Sequence, residues 1–508
     1  MMRISELIDG LDIIERKIDE DFMVEGLTLD SREARKNYLF FAVKGSKTDG
    51  LKYAEDAVRK GAFLVTDRDV EGFISNKVSY VRVRDLVGVI NVIAAKYYGY
   101  PHNYMKMVGI TGTNGKSSTT FLIESIAKAS GTSVGVIGTI NYRYGEKIFP
   151  AKNTTPDPLV LMKVLSDMRD SKTELVVMEV SSHGLKLRRT EALKFDVVIF
   201  TNLSRDHLDF HPDMDDYFNS KRLLFTKTYC RDSNSSALIN IDDEYGKRLM
   251  SEDFPKKFGY SIKDKKAFVH CLDYEVGEES IKASILVDGK RLQIESNLLG
   301  LHNLYNIMAA SGAMYVLGID LDKIVCGIKT LEFVPGRLQK VRNEFGIRCL
   351  IDYAHTDDAL RNVLSALKGL KHRKIITVFG AGGDRDKGKR PLMARAVCEY
   401  SNIVIITSDN PRTEDPYNIM ADIESGMDNS FIRVPSENIT GNENNVYTLI
   451  KDRSEAIRRA IIIAQRGDIV LIAGKGHEDY IIEGETKRHF SDLEEAKKAF
   501  EERRMRGI

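Results

Sequence analysis

The segment Gly112-Thr113-Asn114-Gly115-Lys116-Ser117-Ser118 constrains this chain more than any other. It follows the apolar run Met107 to Thr111, which reads as a β-strand, and precedes Thr119 to Ser130, which reads as a helix. A strand, a glycine-rich turn and a helix in that order form a phosphate cradle. The glycines let backbone N–H groups approach oxyanions, and the helix N-terminus adds the positive end of its dipole. In such a loop Lys116 reaches the β- and γ-phosphates and the Ser117 hydroxyl reaches Mg²⁺. The strict G-x-x-x-x-G-K-[ST] spacing fails, because Ile110 stands where the first glycine would be. A Gly/Ser-rich turn capping a helix, with an incidental lysine, is the competing reading. The register of strand, loop and helix favours nucleotide, so the loop predicts ATP binding and leaves the reaction open.

The rest of the chain reads as an α/β protein. At 508 residues it is too long for one core. Residues 1–100 hold short mixed elements: a strand at Tyr38 to Val43, a helical stretch at Tyr53 to Lys60 and a strand at Ala62 to Thr66. Gly99-Tyr100-Pro101 marks a boundary. Residues 101–334 alternate apolar strands, such as Leu175 to Val180 and Val197 to Thr201, with amphipathic helices, the pattern of a largely parallel sheet. Within them, residues 255–295 alternate more finely, and Asp288-Gly289 predicts a hairpin insert. Residues 335–508 restart the alternation, with strands at 347–352, 374–379, 403–408 and 468–473, as in a Rossmann-like domain. Gly380-Ala381-Gly382-Gly383 is followed by Asp384-Arg385, so the G-x-G-x-x-G fingerprint of a nicotinamide enzyme fails.

Bulk properties exclude several classes. With 75 basic and 74 acidic residues and a net charge of +1, there is no general pull towards nucleic acid or an anionic membrane. No apolar run approaches the roughly 20 residues that span a bilayer. The N-terminus lacks the regions of a signal peptide, and Cys230, Cys271, Cys326, Cys349 and Cys398 are scattered without a C-x-x-C pair. A soluble, cytoplasmic, monomeric enzyme is expected.

The loop form T-G-T-N-G-K-[ST] resembles that of the Mur ligases and their relative folylpolyglutamate synthetase. Further segments follow in order: Asn153 to Asp157 (NTTPD), Glu179 to Gly184 (EVSSHG), Thr201 to Asp209 (TNLSRDHLD), Lys221 and Gly300 to Asn306 (GLHNLYN). Then come Gly336-Arg337, Asp352 to His355 (DYAH), Gly383 to Pro391 (GDRDKGKRP), Asp409 to Arg412 (DNPR) and Gly474 to Glu478 (GKGHE). Together they resemble the Mur ligase family across nearly the whole chain. The resemblance implies three domains: uridine-nucleotide-binding over 1–100, ATP-binding with a phosphate loop over 101–334, and amino-acid-binding over 335–508. It implies an ATP-dependent ligase that joins meso-diaminopimelate to the D-Glu residue of UDP-N-acetylmuramoyl-L-Ala-D-Glu through an acyl phosphate. Folylpolyglutamate synthetase lacks a domain of this kind before the phosphate loop. The sister ligase that adds D-Ala-D-Ala lacks the Asp-Asn-Pro-Arg signature. A nucleotide switch gives the Asp409 and Gly474 loops no role.

Residue roles divide accordingly. Glu179 ends an apolar strand, where α/β sheets present polar groups to ligands, and a carboxylate there suits Mg²⁺. His207 lies between Asp206 and Asp209 and reads equally as a metal ligand or as a loop histidine bonded to a carboxylate. Lys221, in a helical stretch from Asp213 to Phe225, reads on its own as a surface or capping lysine, and a protonated amine cannot ligate metal. The resemblance implies instead a Lys221 carbamylated by CO₂, acting with Glu179 and His207 around two Mg²⁺ ions. It also implies that Asn303, Asn306, Arg337 and Asp352 meet ATP. By the same likeness Ser31, Ser46, Lys47 and Thr48 meet the uridine diphosphate, although Asp-Ser and Gly-Ser are common turn residues. Asn153, Thr154, Thr155, Ser181 and Arg189 would hold the sugar and peptide of that substrate. Leu187 stands where some relatives carry a polar residue, and Asp357 where they carry proline.

Acceptor choice rests on Asp409-Asn410-Pro411-Arg412. Diaminopimelate differs from lysine by a carboxylate at its far stereocentre, and an arginine fork matches that planar group. Arg385, Gly474 and Glu478 complete the implied site, with Glu478 meeting the distal ammonium. The plainer reading makes Arg412 a solvated loop residue, and some lysine-using relatives keep the arginine.

Overall fold

The computed structural model describes residues 2–45, 48–74 and 78–507. They form two compact units: Met1–Gly109 with Ser133–Asp196 and Thr226–Ser235, and Ile110–Thr132 with Val197–Phe225 and Ser236–Ile508. The division passes through the strand Lys106–Thr111.

The first unit contains a five-stranded sheet, in the order Ile13–Lys17, Tyr80–Val83, Phe63–Thr66, Tyr38–Phe41, Gly26–Thr28. Only Ile13–Lys17 runs antiparallel to its neighbour. The Leu175–Glu179 strand lies parallel to Val134–Ile137, which continues into the antiparallel strands Asn141–Tyr144 and Lys147–Pro150. Glu179 is therefore the last residue of a strand buried along its whole length.

In the second unit Val197–Phe200, Ser236–Asn240, Lys256–Ser261 and Val269–Val276 run parallel. Ile281–Val287 and Lys290–Ser296 extend that sheet antiparallel. The fine alternation at 255–295 is therefore a sheet extension rather than an insert. Asp288 (φ 51°) and Gly289 (φ 73°) take the left-handed turn expected between the last two strands.

A seven-stranded sheet closes the second unit: Gln339–Val341, Arg348–Asp352, Ile469–Ala473, Ile375–Phe379, Ile403–Ile406, Val446–Leu449, Ile432–Arg433. All but the first pair are parallel. Alternate residues feed two cores. Leu350, Phe379, Val404 and Leu471 pack on one face, and Ile351, Val378, Ile405 and Ile472 on the other. Burial on both faces explains why these strands read as unbroken apolar runs. No described helix is long and apolar enough to cross a membrane.

Candidate functional site

The phosphate loop lies in the second unit. Gly112 (φ 147°) and Gly115 (φ 86°) hold backbone conformations that side chains rarely adopt. A Cβ on Gly112 would stand 1.8 Å from Thr201 Oγ1, and one on Gly115 2.4 Å from Asn306 Oδ1. The helix Lys116–Ser130 starts at Gly115 with no side-chain cap, and its N-terminal end carries the positive end of the helix dipole. Lys116 Nζ folds over the loop and donates to the Gly112 and Thr113 carbonyls, each at 2.8 Å. Ser117 and Ser118 are buried on the first turn.

Lys221 corrects the expectation of a surface residue: it is 1% exposed. The helix Met214–Arg222 turns it inwards, its ammonium 4.5 Å from the Tyr217 ring centroid and donating to the Gly112 carbonyl at 2.9 Å. Tyr217 in turn bonds Thr113 of the phosphate loop, 3.1 Å away. Burial, and then the Lys116 charge, hold the Lys221 amine well below the ordinary lysine range against the pull of Asp206.

His207 has φ 56° and lies edge-on to Tyr217, its Nε2 3.4 Å from Asp206 Oδ2. Asp206 is a buried node, with His355 Nε2 at 3.7 Å and Lys389 Nζ at 3.5 Å. Burial pushes its carboxyl up, but His207, Lys389 and His355 outweigh that and hold it well below the usual range.

A cavity of about 580 Å³ opens beside the loop, lined in part by Asn114, Ser118, His302, Asn306, Arg337 and Asp352. Its size is that of a small-molecule site. Asn306 sits on the first turns of the helix Leu301–Val316 and donates to Asn303 Oδ1 at 2.9 Å. Asn303 itself is buried behind it, donating to the Leu299 carbonyl. Arg337 packs over the Tyr353 ring at 4.7 Å and reaches Ser117 Oγ at 3.5 Å. The Asp352 carboxylate accepts from the Leu338 and Ala354 amides at 2.7 and 2.8 Å, so it braces the chain as it enters the last sheet.

Four loops leave the same edge of the seven-stranded sheet, after Asp352, Phe379, Ile406 and Ala473. In parallel sheets that edge is where ligands are met. Arg412 is half-buried rather than solvated: its φ is 52°, and its guanidinium donates to the Gly383 carbonyl at 2.6 Å. A Cβ on Gly382 would lie 2.9 Å from Arg412 Nη1 and 3.8 Å from Arg385 Cγ, so both arginines flank that glycine. Arg385 is exposed, with Asp209 3.9 Å away. The buried Asn410, preceding Pro411, donates to Glu478 at 2.8 Å. A Cβ on Gly474 (φ 116°) would stand 2.8 Å from Asp409.

Lys475, not singled out from the sequence, sits at the middle of this group with no exposure. Its ammonium lies 3.1 Å from Glu478, 3.2 Å from Asn410 and 3.6 Å from Asp409. Asp409 is held below the usual carboxylate range: burial opposes this, and Lys475 and Arg453 drive it. Being the lysine of a Gly-Lys-Gly triplet after a buried strand was the signal that could have found Lys475.

The first unit gathers a separate set. The Glu179 carboxylate accepts from the Thr139 amide at 3.1 Å and hydroxyl at 2.8 Å. The Thr155 hydroxyl bonds the Glu179 carbonyl and Ser181, and Arg189 donates to the Thr155 carbonyl at 2.9 Å. Thr154 joins through Thr139 at 3.0 Å, and the Asn153 carbonyl accepts from Tyr142. Ser31 is buried, and its carbonyl accepts from Lys60. The Thr48 carbonyl accepts from the Gly45 amide. Ser46 and Lys47 lie outside the described residues. Leu187 is exposed.

Models of three Mur ligase domains match this chain. The Mur ligase family catalytic domain covers residues 23–98, the Mur ligase middle domain 110–314, and the Mur ligase glutamate ligase domain 336–476. The UDP-N-acetylmuramoyl-L-alanyl-D-glutamate–2,6-diaminopimelate ligase of Geobacter sulfurreducens is 43% identical over 504 residues, covering 98% of this chain and 99% of that protein. The ligase of the same name from Fusobacterium nucleatum is 41% identical, covering 96% of each. A solved structure bearing that enzyme name superposes with a TM-score of 0.68 at 30% identity, covering 99% of both chains. The fold is shared more widely: MurF ligase from Thermotoga maritima in complex with ADP gives 0.65 at 18% identity, covering 95% of this chain and 98% of that one.

Proposed function

Since the chain belongs to the Mur ligase family, we propose that it is an ATP-dependent ligase that joins meso-diaminopimelate to the D-Glu side-chain carboxyl of UDP-N-acetylmuramoyl-L-Ala-D-Glu. The observation that carries the acceptor is the pairing of Arg412 and Arg385 about Gly382, with Asn410 and Glu478 in contact on the same sheet edge. An arginine fork suits a carboxylate, and Glu478 suits an ammonium, so together they fit the distal amino-acid head that lysine lacks in part. The relatives named above as diaminopimelate ligases support the same choice.

In this reading the backbone of the phosphate loop, the N-terminal end of the helix that starts at Lys116 and the Lys116 ammonium hold the ATP phosphates, and the cavity beside Asn306 and Arg337 holds the nucleoside. The γ-phosphoryl group passes to the D-Glu carboxylate, giving an acyl phosphate and ADP. The acceptor amine then attacks the acyl carbon, forming the amide and releasing phosphate. Fixed positive charge where phosphoryl charge develops lowers the barrier without reorganisation. Asn153, Thr154, Thr155, Ser181 and Arg189 are proposed to orient the peptide substrate, and Ser31, Ser46, Lys47 and Thr48 its nucleotide.

Bound magnesium would neutralise phosphate charge and polarise the transferring group. Among the described residues no cluster of three or more His, Cys, Asp or Glu could hold a metal alone. By the likeness to the Mur ligases, the proposed metal ligands of the second unit are Ser117, His207 and a carbamylated Lys221, together with phosphate oxygens; Glu179 of the first unit is proposed as a metal ligand on the same likeness alone. The burial of Lys221 supports this assignment, since an uncharged amine is the form that adds CO₂ and the carbamate supplies the oxygens that an amine lacks.

The test is ATP-dependent phosphate release with UDP-N-acetylmuramoyl-L-Ala-D-Glu and one of three acceptors. Release with meso-diaminopimelate, and little with L-lysine or D-Ala-D-Ala, is expected. Equal or faster release with L-lysine would overturn the acceptor assignment.

A further inference from the structure

Behind the acceptor loops lies a buried cation that none of the roles above uses. Arg390, on the first turn of the helix Lys389–Cys398, is 1% exposed. Its Nη2 donates to Glu414 Oε1 at 2.8 Å and to the Gly382 carbonyl at 3.2 Å. Its Nη1 donates to Glu414 Oε2 at 3.0 Å and to Asp422 at 2.8 Å. Glu414 belongs to the loop that carries Arg412, and its Oε1 also accepts from the Asp384 amide at 2.6 Å. The Asp384 carboxylate then takes the Thr413 hydroxyl at 2.7 Å. One guanidinium thus ties the loop carrying Arg385 to the loop carrying Arg412, while Arg412 itself bonds Gly383.

We infer that Arg390 and Glu414 form a positioning clamp that sets the spacing of Arg385 and Arg412 and thereby the recognition of the acceptor's distal carboxylate. The inference rests on the diaminopimelate reading given above and deepens it. A carboxylate fork tolerates little displacement, and the clamp joins both arms to one helix, beside the direct loop-to-loop contacts of Thr413 with Asp384 and of Lys387 with Glu414 at 3.3 Å. Lysine in place of Arg390 keeps the charge but loses the bidentate grip on Glu414. Asp422 meets the same guanidinium from the helix Pro416–Glu424, outside the two loops, so it separates anchoring from mere stability.

Steady-state constants for all three substrates, with thermal midpoints, are measured for wild type, Arg390→Lys, Glu414→Gln and Asp422→Asn. The expected result for Arg390→Lys and Glu414→Gln is a KM for meso-diaminopimelate raised on the order of tenfold or more. The KM values for ATP and the UDP-linked substrate should stay within about twofold, and the preference over L-lysine should shrink. Asp422→Asn should lower the thermal midpoint without moving the diaminopimelate KM. An unchanged diaminopimelate KM in folded Glu414→Gln, or an equal loss across all three substrates, overturns the clamp. If wild type itself uses no diaminopimelate, the functional reading has failed first; if it does and the variants match it, only the clamp has failed.

Discussion

At the residue scale, the site shows what sequence can and cannot carry. Gly112 and Gly115 were legible because backbone geometry demands them: a Cβ at either glycine would collide with Thr201 or Asn306. Lys221 was not legible. A lysine on a helix that begins Asp213, Met214, Asp215, Asp216 looks solvated, and only the packing of Tyr217 against Thr113 shows that this face turns inwards. Arg390 was hidden likewise, since Glu414 and Asp422, which offset its burial, come from later segments, and Lys475 was hidden in part, since Asp409 is distant in the chain although Glu478 lies only three residues on. The proposed modification of Lys221 has a direct test. Protein equilibrated with ¹³C-bicarbonate should give a carbamate carbon resonance that is absent from Lys221→Arg. A wild-type spectrum without that resonance would sink the assignment.

At the element scale, the apolar runs predicted the strands well, because a parallel sheet covered on both faces leaves few polar positions within a strand, such as the buried Thr377. The antiparallel strands Ile281–Val287 and Lys290–Ser296 were seen as a hairpin, but their attachment to the main sheet was not. Pairing partners are set by tertiary contact, which alternation does not encode. The helix Asp357–Lys368 illustrates local compensation. Asp357 stands where proline was expected, yet Thr356 caps the helix by accepting from the Ala359 amide, and two acidic residues occupy its first turn. Asp358 goes further, bonding Asn114 of the phosphate loop at 3.0 Å and Ser204 at 2.9 Å. Thr356→Ala should cost about 1 kcal/mol, read as a lowered denaturation midpoint at constant slope.

At the scale of the whole molecule, two histidines set a pH limit: His102, which is buried, and His302, which is half-buried at the cavity wall. Burial, with Arg231 and Lys194 nearby, pushes His102 down to about 4, and burial with Arg337 does the same to His302. Both fall below the ordinary histidine value of 6.5. Between those values the unfolded chain binds protons that the folded chain refuses. Stability is therefore full above about pH 6.5 and declines as pH falls towards 4. Denaturation free energies measured across that range should slope upwards with pH, and replacing His102 by Gln should flatten the slope. A slope unaffected by that replacement would remove His102 from the account.

The seven-stranded sheet separates two kinds of sequence. Its interior is packed on both faces, so change there is penalised at once, whereas the connections at its edge carry the side chains proposed above for the incoming amine. On that proposal, rewriting the segments after Phe379 and Ile406 would change which amino acid such an enzyme takes while the strand interior and the phosphate loop stay as they are.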